Sequence, residues 1–117
     1  MTARRRGQSV ADLRRLCLAL PEVDEGTSYG TPAWRVKRKW FARLRECGDL
    51  VVIRTDFDER ETLLASDPKF FQLTDHYVGY PLVLVSLRAA TRAKLAEVLE
   101  MSYRRTAPAK LVARLDV

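Results

Sequence analysis

The chain has one histidine, and it lies in TDHYVGYPLVLV, residues 74–85, beside two of the protein's four tyrosines. An imidazole that does acid–base work needs a partner within hydrogen-bonding reach. Asp75 is the adjacent acid, but an extended strand over residues 72–77 sends Asp75 and His76 to opposite faces. No serine or cysteine stands in a GxSxG or comparable nucleophile setting. Catalysis is therefore not expected. Cys17 and Cys47 lack CxxC spacing, so with a single histidine neither a transition-metal site nor a redox pair is expected, and no cofactor. The acids at residues 22–25 and 58–61 lack the spacing of a calcium loop, and the second group suits a helix N-terminus. In the histidine stretch, Gly79 turns the chain before Pro81, and Tyr77 and Tyr80 stand at a strand rim. With Tyr29 and His76 they define a candidate tyrosine-rich groove for a small ligand or a protein partner.

The second constellation is one of charge. WRVKRKWFARLR, residues 34–45, holds Arg35, Lys37, Arg38, Lys39, Arg43 and Arg45 and no acid. Alternation sends Arg35 and Lys37 to one face of their strand, and Phe41, Arg43 and Arg45 to one face of the next. Cations spaced along a two-stranded ribbon can meet successive phosphates, and a projecting ribbon can enter a groove. Phe41 beside them could stack on an unpaired base. Arg54 and the arginines at positions 4–6 extend the attraction. The competing reading is a solvated sheet face whose arginines pair with the acidic segments. Trp34 and Trp40 fall on the apolar alternation and are assigned to the core.

These residues must be positioned by a single small domain. At 117 residues the chain can bury roughly two-thirds of its unfolded surface without disulfides or metal. The net charge is +6, half of it from Arg4, Arg5 and Arg6 in an expected flexible tail over residues 1–8. The domain proper, residues 9–117, permits a polyanionic partner without demanding one. No apolar run approaches the ~20 residues of a membrane span. Asp12, Arg14 and Arg15 interrupt what would otherwise resemble a signal sequence, so a cytoplasmic location and no membrane partner are expected.

Ser9 with Asp12 predicts a capped helix over residues 10–20, ended by Pro21. Residues 21–32 read as an acidic loop punctuated by Gly26 and Gly30. Strands follow at AWRVK and KWFARLR, a hairpin turning near residues 37–39, and at LVVIRT, residues 50–55. Asp58 is expected to cap a second helix, with Glu61 in the capping box, and DPKFF to break it. A short strand over 72–77 and a stronger one over 82–87 precede a last helix from Thr91 to about Thr106, stopped at Ala107–Pro108. The predicted order is α-β-β-β-α-β-β-α: an α+β domain with an antiparallel sheet and helices on one face.

This order, and the motifs YGTPAWRV, KWFARLRE, RTDFDERETLLASDP, TDHYVGYPLVLVSL and RRTAPAKL carried on it, resemble the MmcQ/YjbR-like family over nearly the whole chain. The resemblance implies a small α+β domain and a DNA-binding role, the latter by likeness to paired-wing strand arrangements. Many relatives carry glycine in the hairpin turn where this chain has Arg38. The resulting expectation is a non-enzymatic protein making sequence-nonspecific contacts to DNA phosphates through Arg35, Lys37, Arg38, Lys39, Arg43, Arg45 and Arg54. The alternative is an interaction or ligand module using the groove of Tyr29, His76, Tyr77 and Tyr80. No recognition helix is evident, so no base-specific readout is expected.

Overall fold

The computed structural model of the chain describes residues 7–117. Most of the basic tail, including Arg4, Arg5 and Arg6, lies outside the described residues. Gly7 and Gln8 are already hydrogen bonded, their N–H groups donating to the carbonyls of Ala90 and Leu87.

Helix α1 (Val10–Leu18) opens on the expected reciprocal cap, the Ser9 hydroxyl accepting from the Asp12 N–H and the Asp12 carboxylate from the Ser9 N–H. It stops two residues before the predicted end, because the backbone ahead of Pro21 disfavours helix. Leu13 and Cys17 are fully buried, and burial pushes the Cys17 thiol well above its ordinary range, so it serves as a small hydrophobe.

The predicted acidic loop is instead a strand. β1 (Val23–Ser28) pairs antiparallel with β2 (Thr31–Val36) across a turn at Tyr29–Gly30. It lies at the sheet edge, where apolar alternation is not required, and charge takes its place. Asp24 faces Arg35, and the Glu25 carboxylate accepts from Arg14 Nε at 2.8 Å and Trp34 Nε1 at 2.9 Å. The hydrogen bond from Arg14 holds the Glu25 carboxyl below its ordinary range.

The remaining elements are β3 (Lys39–Leu44), β4 (Leu50–Arg54), α2 (Phe57–Ser66), β5 (Phe71–Gln72), β6 (Leu82–Ser86), α3 (Arg92–Thr106) and α4 (Ala109–Ala113). They complete a six-stranded antiparallel sheet in the order β1-β2-β3-β4-β6-β5. The predicted α+β class with an antiparallel sheet holds, with one more strand and one more short helix than the sequence suggested. Two local expectations fail. α2 is capped by Asp56, whose carboxylate accepts from the Glu59 N–H, and not by Asp58. The strand expected over 72–77 ends at Gln72, and Asp75–Tyr77 form a 3-10 turn. Among the described residues no helix is long and apolar enough to cross a membrane.

α1, α3 and α4 cover one face of the sheet, burying Trp34, Val36, Phe41 and Ile53 against Leu13, Leu99, Tyr103 and Leu111. The β2–β3 register then shifts: Trp34 pairs with Ala42 but Arg35 with Trp40, which leaves Phe41 as an extra residue. This bulge breaks the period of two. Phe41 and Ala42, though adjacent, are both fully buried in the helix-covered core, while Trp40 joins the smaller apolar cluster around Val52 and Leu84. The bulge also interrupts the β3–β4 ladder beyond the Ala42–Ile53 pair. The Ser102 hydroxyl from α3 fills that gap, donating to the Phe41 carbonyl at 2.6 Å and accepting from the Arg54 N–H at 3.0 Å. A buried serine thus satisfies two backbone groups that would otherwise be orphaned.

Candidate functional site

The sheet face turned away from the helices carries the candidate site. Register places Arg43 beside Val52 and Val52 beside Leu84 in one row. Tyr77, at the end of the 3-10 turn, packs onto Val52, Leu82 and Leu84. Between this turn, the β1–β2 turn and the strands lies a groove of about 750 Å3, lined by Tyr29, Trp40, Arg43, Arg45, Tyr77 and Tyr80 together with Glu46, His76 and Leu82.

The loop that carries Tyr77 and Tyr80 into the groove is anchored by a residue that sequence reasoning missed. Arg60 is the one buried residue of α2, at 6% exposure. Its Nη1 donates to the carbonyls of Val78 at 3.0 Å and Tyr80 at 2.7 Å, with Tyr77 O at 3.4 Å. Its guanidinium also lies 5.0 Å from the Phe57 ring. The irregular backbone after the 3-10 turn has few ladder partners, and this one cation supplies them. In the sequence Arg60 is a single base among helix-start acids, and its partners stand 17 to 20 positions away, so no local signal marks it.

Inside the groove, guanidinium groups lie against aromatic rings. Arg43 is 5.6 Å from the Tyr29 ring centre and 5.3 Å from that of Trp40, and its Nη2 donates to the Tyr77 hydroxyl at 3.1 Å. Arg45 is 5.3 Å from the Tyr77 ring. Tyr29 is 85% exposed and Tyr80 57%, so both present ring surface to solvent. His76 is exposed and stacks edge-on against Tyr77 at 4.8 Å. It makes no hydrogen bond with Asp75 among the described residues. The dyad is absent, although the two residues share a 3-10 turn and not the strand that was expected to separate them.

The basic footprint predicted along the hairpin is divided. Arg35 and Lys37 pair with acids of the β1 region, Asp24 at 3.5 Å and Glu22 at 2.9 Å, as in the solvated-face reading. Arg38, Lys39, Arg43, Arg45 and Arg54 have no carboxylate partner among the described residues. Arg38 and Lys39 project at the tip, whereas Arg43 and Arg45 belong to the tyrosine groove, so two sites separate in the sequence are partly one. Arg54 lies 4.1 Å from the Trp40 ring centre, and its Nε donates to the Trp40 carbonyl at 2.7 Å. Phe41 is fully buried and unavailable to a base. Trp40, assigned to the core, is half-buried and forms groove wall; the bulge accounts for both corrections. At the tip, Lys37 and Arg38 both take positive φ, 50° and 72°, a two-residue turn of the kind that glycine or asparagine usually fills.

The family model described as YjbR matches residues 18–105, a span that contains the whole groove and the hairpin. The chain belongs to the YjbR family. Two curated relatives, the uncharacterised proteins Rv2570 of Mycobacterium tuberculosis and Mb2600 of Mycobacterium bovis, are each 30% identical to it over 119 residues. Each alignment covers 86% of this YjbR chain and 90% of the relative. The fold is shared with the crystal structure of Deinococcus radiodurans protein DR2400, whose family-model domain is DUF419, at a TM-score of 0.70 and 24% identity. That match covers 86% of this chain and 80% of the other.

Proposed function

We propose that this YjbR protein is a non-catalytic DNA-binding protein whose main contact surface is the groove on the open sheet face, with the hairpin tip as an outlying contact. The observation that carries this is the pair Arg43 and Arg45: guanidiniums with no acid within ion-pair distance among the described residues, lying among aromatic rings in an open groove whose one acidic lining residue is Glu46. Guanidiniums recognise phosphate oxygens through paired N–H donors, and exposed tyrosine rings stack on unpaired bases whatever their identity. The combination suits a single strand, with phosphates at Arg43 and Arg45 and bases on Tyr29 or Tyr80. Among the described residues the groove presents no recognition helix to base edges in a duplex, so binding is expected to be sequence-nonspecific.

The same exposed rings support a second reading, a small-ligand or protein-interaction module in the groove. Salt separates the two. Phosphate contacts weaken steeply as salt rises, by about 0.7 in the log–log slope per contact on a single strand, whereas an apolar groove hardly responds. The test titrates the protein with single-stranded DNA, duplex DNA and RNA at two salt concentrations. Salt-sensitive binding with single-stranded DNA tighter than duplex is expected. No binding of any of the three at low salt would remove the proposal.

A further inference from the structure

A second cavity, of about 420 Å3, opens where the ends of β3 and β4 meet the C-terminal turn of α3; it is lined by Lys39, Arg54, Thr55, Pro81, Arg105 and Thr106. Three of the six lining residues are cationic, and none is acidic.

Arg54 is the centre of the argument. Several other guanidiniums have found compensation: Arg60 in backbone carbonyls, Arg104 in Glu100 and Asp116, and the more exposed Arg105 in Asp56 and Glu59. Arg54 is half-buried, and only its Nε makes a hydrogen bond, to the Trp40 carbonyl. Its two terminal nitrogens make none among the described residues. Burial without a counter-charge pulls its pKa below the ordinary arginine value, the response of a cation that has lost water and gained no anion. Next to it, Thr55 is 3% exposed, and its hydroxyl has no hydrogen-bond partner among the described residues. Its backbone N–H is already given to the Pro81 carbonyl. Arg54 and Thr55 are thus both residues of this cavity's lining that carry polar groups without a partner among the described residues, the hydroxyl itself lying just beneath the surface.

We propose that this cavity is a binding site for a tetrahedral oxyanion, with phosphate as its natural chemistry, held by Arg54 and Lys39 and bordered by Thr55 and Arg105. The opposing terms are smaller. The C-terminus of α3 places about half a negative charge near the site, and Arg105 in that same turn offsets it. Arg105 is itself partly neutralised by Asp56 at 3.5 Å and Glu59 at 2.9 Å, so the attraction comes mainly from Arg54 and Lys39. Neither of these has an acid within ion-pair distance among the described residues. The phosphate has two possible sources, the free ion or a phosphoryl group of a nucleic-acid strand. Trp40 lies against both Arg43 of the groove and Arg54 of this pocket, so the two sites are neighbours across one ring.

The experiment is an amide NMR titration of the full chain with inorganic phosphate, against sodium chloride at matched ionic strength. It reads the amides of Thr55, Arg105 and Thr106 and the Nε–H of Arg54. Saturable shifts confined to this set, produced by phosphate and not by chloride, are expected. Arg54→Met should weaken binding at least tenfold. Lys39→Ala, at an exposed position where folding is not at risk, should weaken it about threefold to tenfold. Absent shifts, shifts reproduced by chloride, or shifts unchanged in both variants would overturn the proposal. Titration with one oligonucleotide bearing a 5′-phosphate or a 5′-hydroxyl then assigns the source. Tighter binding of the phosphorylated strand points to nucleic acid, and equal binding of both, with phosphate still saturating, to the free ion. An oligonucleotide that binds through Arg43 and Arg45 while phosphate leaves these amides untouched rejects the pocket alone. Phosphate binding without oligonucleotide binding rejects the groove alone.

Discussion

On the helix-covered face of the sheet, Trp34 and Tyr103 are fully buried, and each polar tip has a partner, the Glu25 carboxylate for one and the Pro21 carbonyl for the other. On the open face, Tyr29 and Tyr80 face solvent and Trp40 is half-buried, with guanidiniums beside Tyr29 and Trp40. β3 supplies both faces, with Phe41 on one side and Trp40 on the other, and the bulge at Phe41 decides which residue goes where. One face is closed within the fold, its large polar tips paired. The other keeps aromatic surface and cationic donors in reserve, which is the condition of a surface meant for a partner.

That contrast can be broken at its supports, and the largest effect is expected at Arg60. Removing its side chain in Arg60→Ala leaves the Val78 carbonyl without its donor and the Tyr80 carbonyl with the Leu82 N–H alone. A loss of about 2–4 kcal/mol is expected, since a hydrogen bond to a charged group contributes ~1.5–3 kcal/mol and these part-buried bonds share one donor nitrogen. Chemical denaturation measures it. Oligonucleotide affinity should fall in the folded fraction as well, because the loop that carries Tyr77 and Tyr80 loses its anchor. A change under 1 kcal/mol would show that the loop is held by something else.

Ser102→Ala tests the origin of the bulge. It orphans the Phe41 carbonyl and the Arg54 N–H in the core and should cost about 1–3 kcal/mol. Ser102 is assigned to the helix-covered side, yet its loss should also disturb Trp40 and Arg54 across the sheet, visible in their NMR shifts. Unchanged shifts at both would uncouple the faces.

The smallest effect is at the hairpin tip. Arg38 holds φ 72°, a region that costs a side-chain-bearing residue ~1–2 kcal/mol. Arg38→Gly relieves that strain but gives back part of the gain through the freer unfolded chain, so a net stabilisation of about 0.5–1 kcal/mol is expected in thermal unfolding. Single-strand affinity should change less than threefold, although a cation is lost.

The sequence carried the parts of this picture that rest on local rules. The Ser9–Asp12 cap, the Thr91 start of the last helix and the apolar runs of β4 and β6 are local matters, and the structure shows them where expected. β1 escaped because an edge strand rich in Asp and Glu has no apolar period; its partners, Arg14 and Arg35, lie elsewhere in the chain. The bulge escaped because a strict period of two gives no sign of one extra residue, and that residue moved Phe41 inward and Trp40 outward. The tyrosines and arginines of the site were all visible as residue types. Their division into an ion-paired edge, an exposed tip and an aromatic groove depends on contacts such as Arg43 with Tyr77, 34 positions apart.

The most direct measurement is the salt dependence of single-stranded DNA affinity for the wild type, for Arg43→Ala/Arg45→Ala and for Arg38→Ala/Lys39→Ala, with folding confirmed by circular dichroism. If the groove is the contact surface, the first pair should weaken binding more than tenfold and lower the log–log slope by about 1.4, two lost contacts at ~0.7 each. The tip pair, an outlying contact, should lower the slope by less than the groove pair does. The opposite order, with the tip pair losing slope and the groove pair keeping it, would contradict the assignment of DNA binding to the open face.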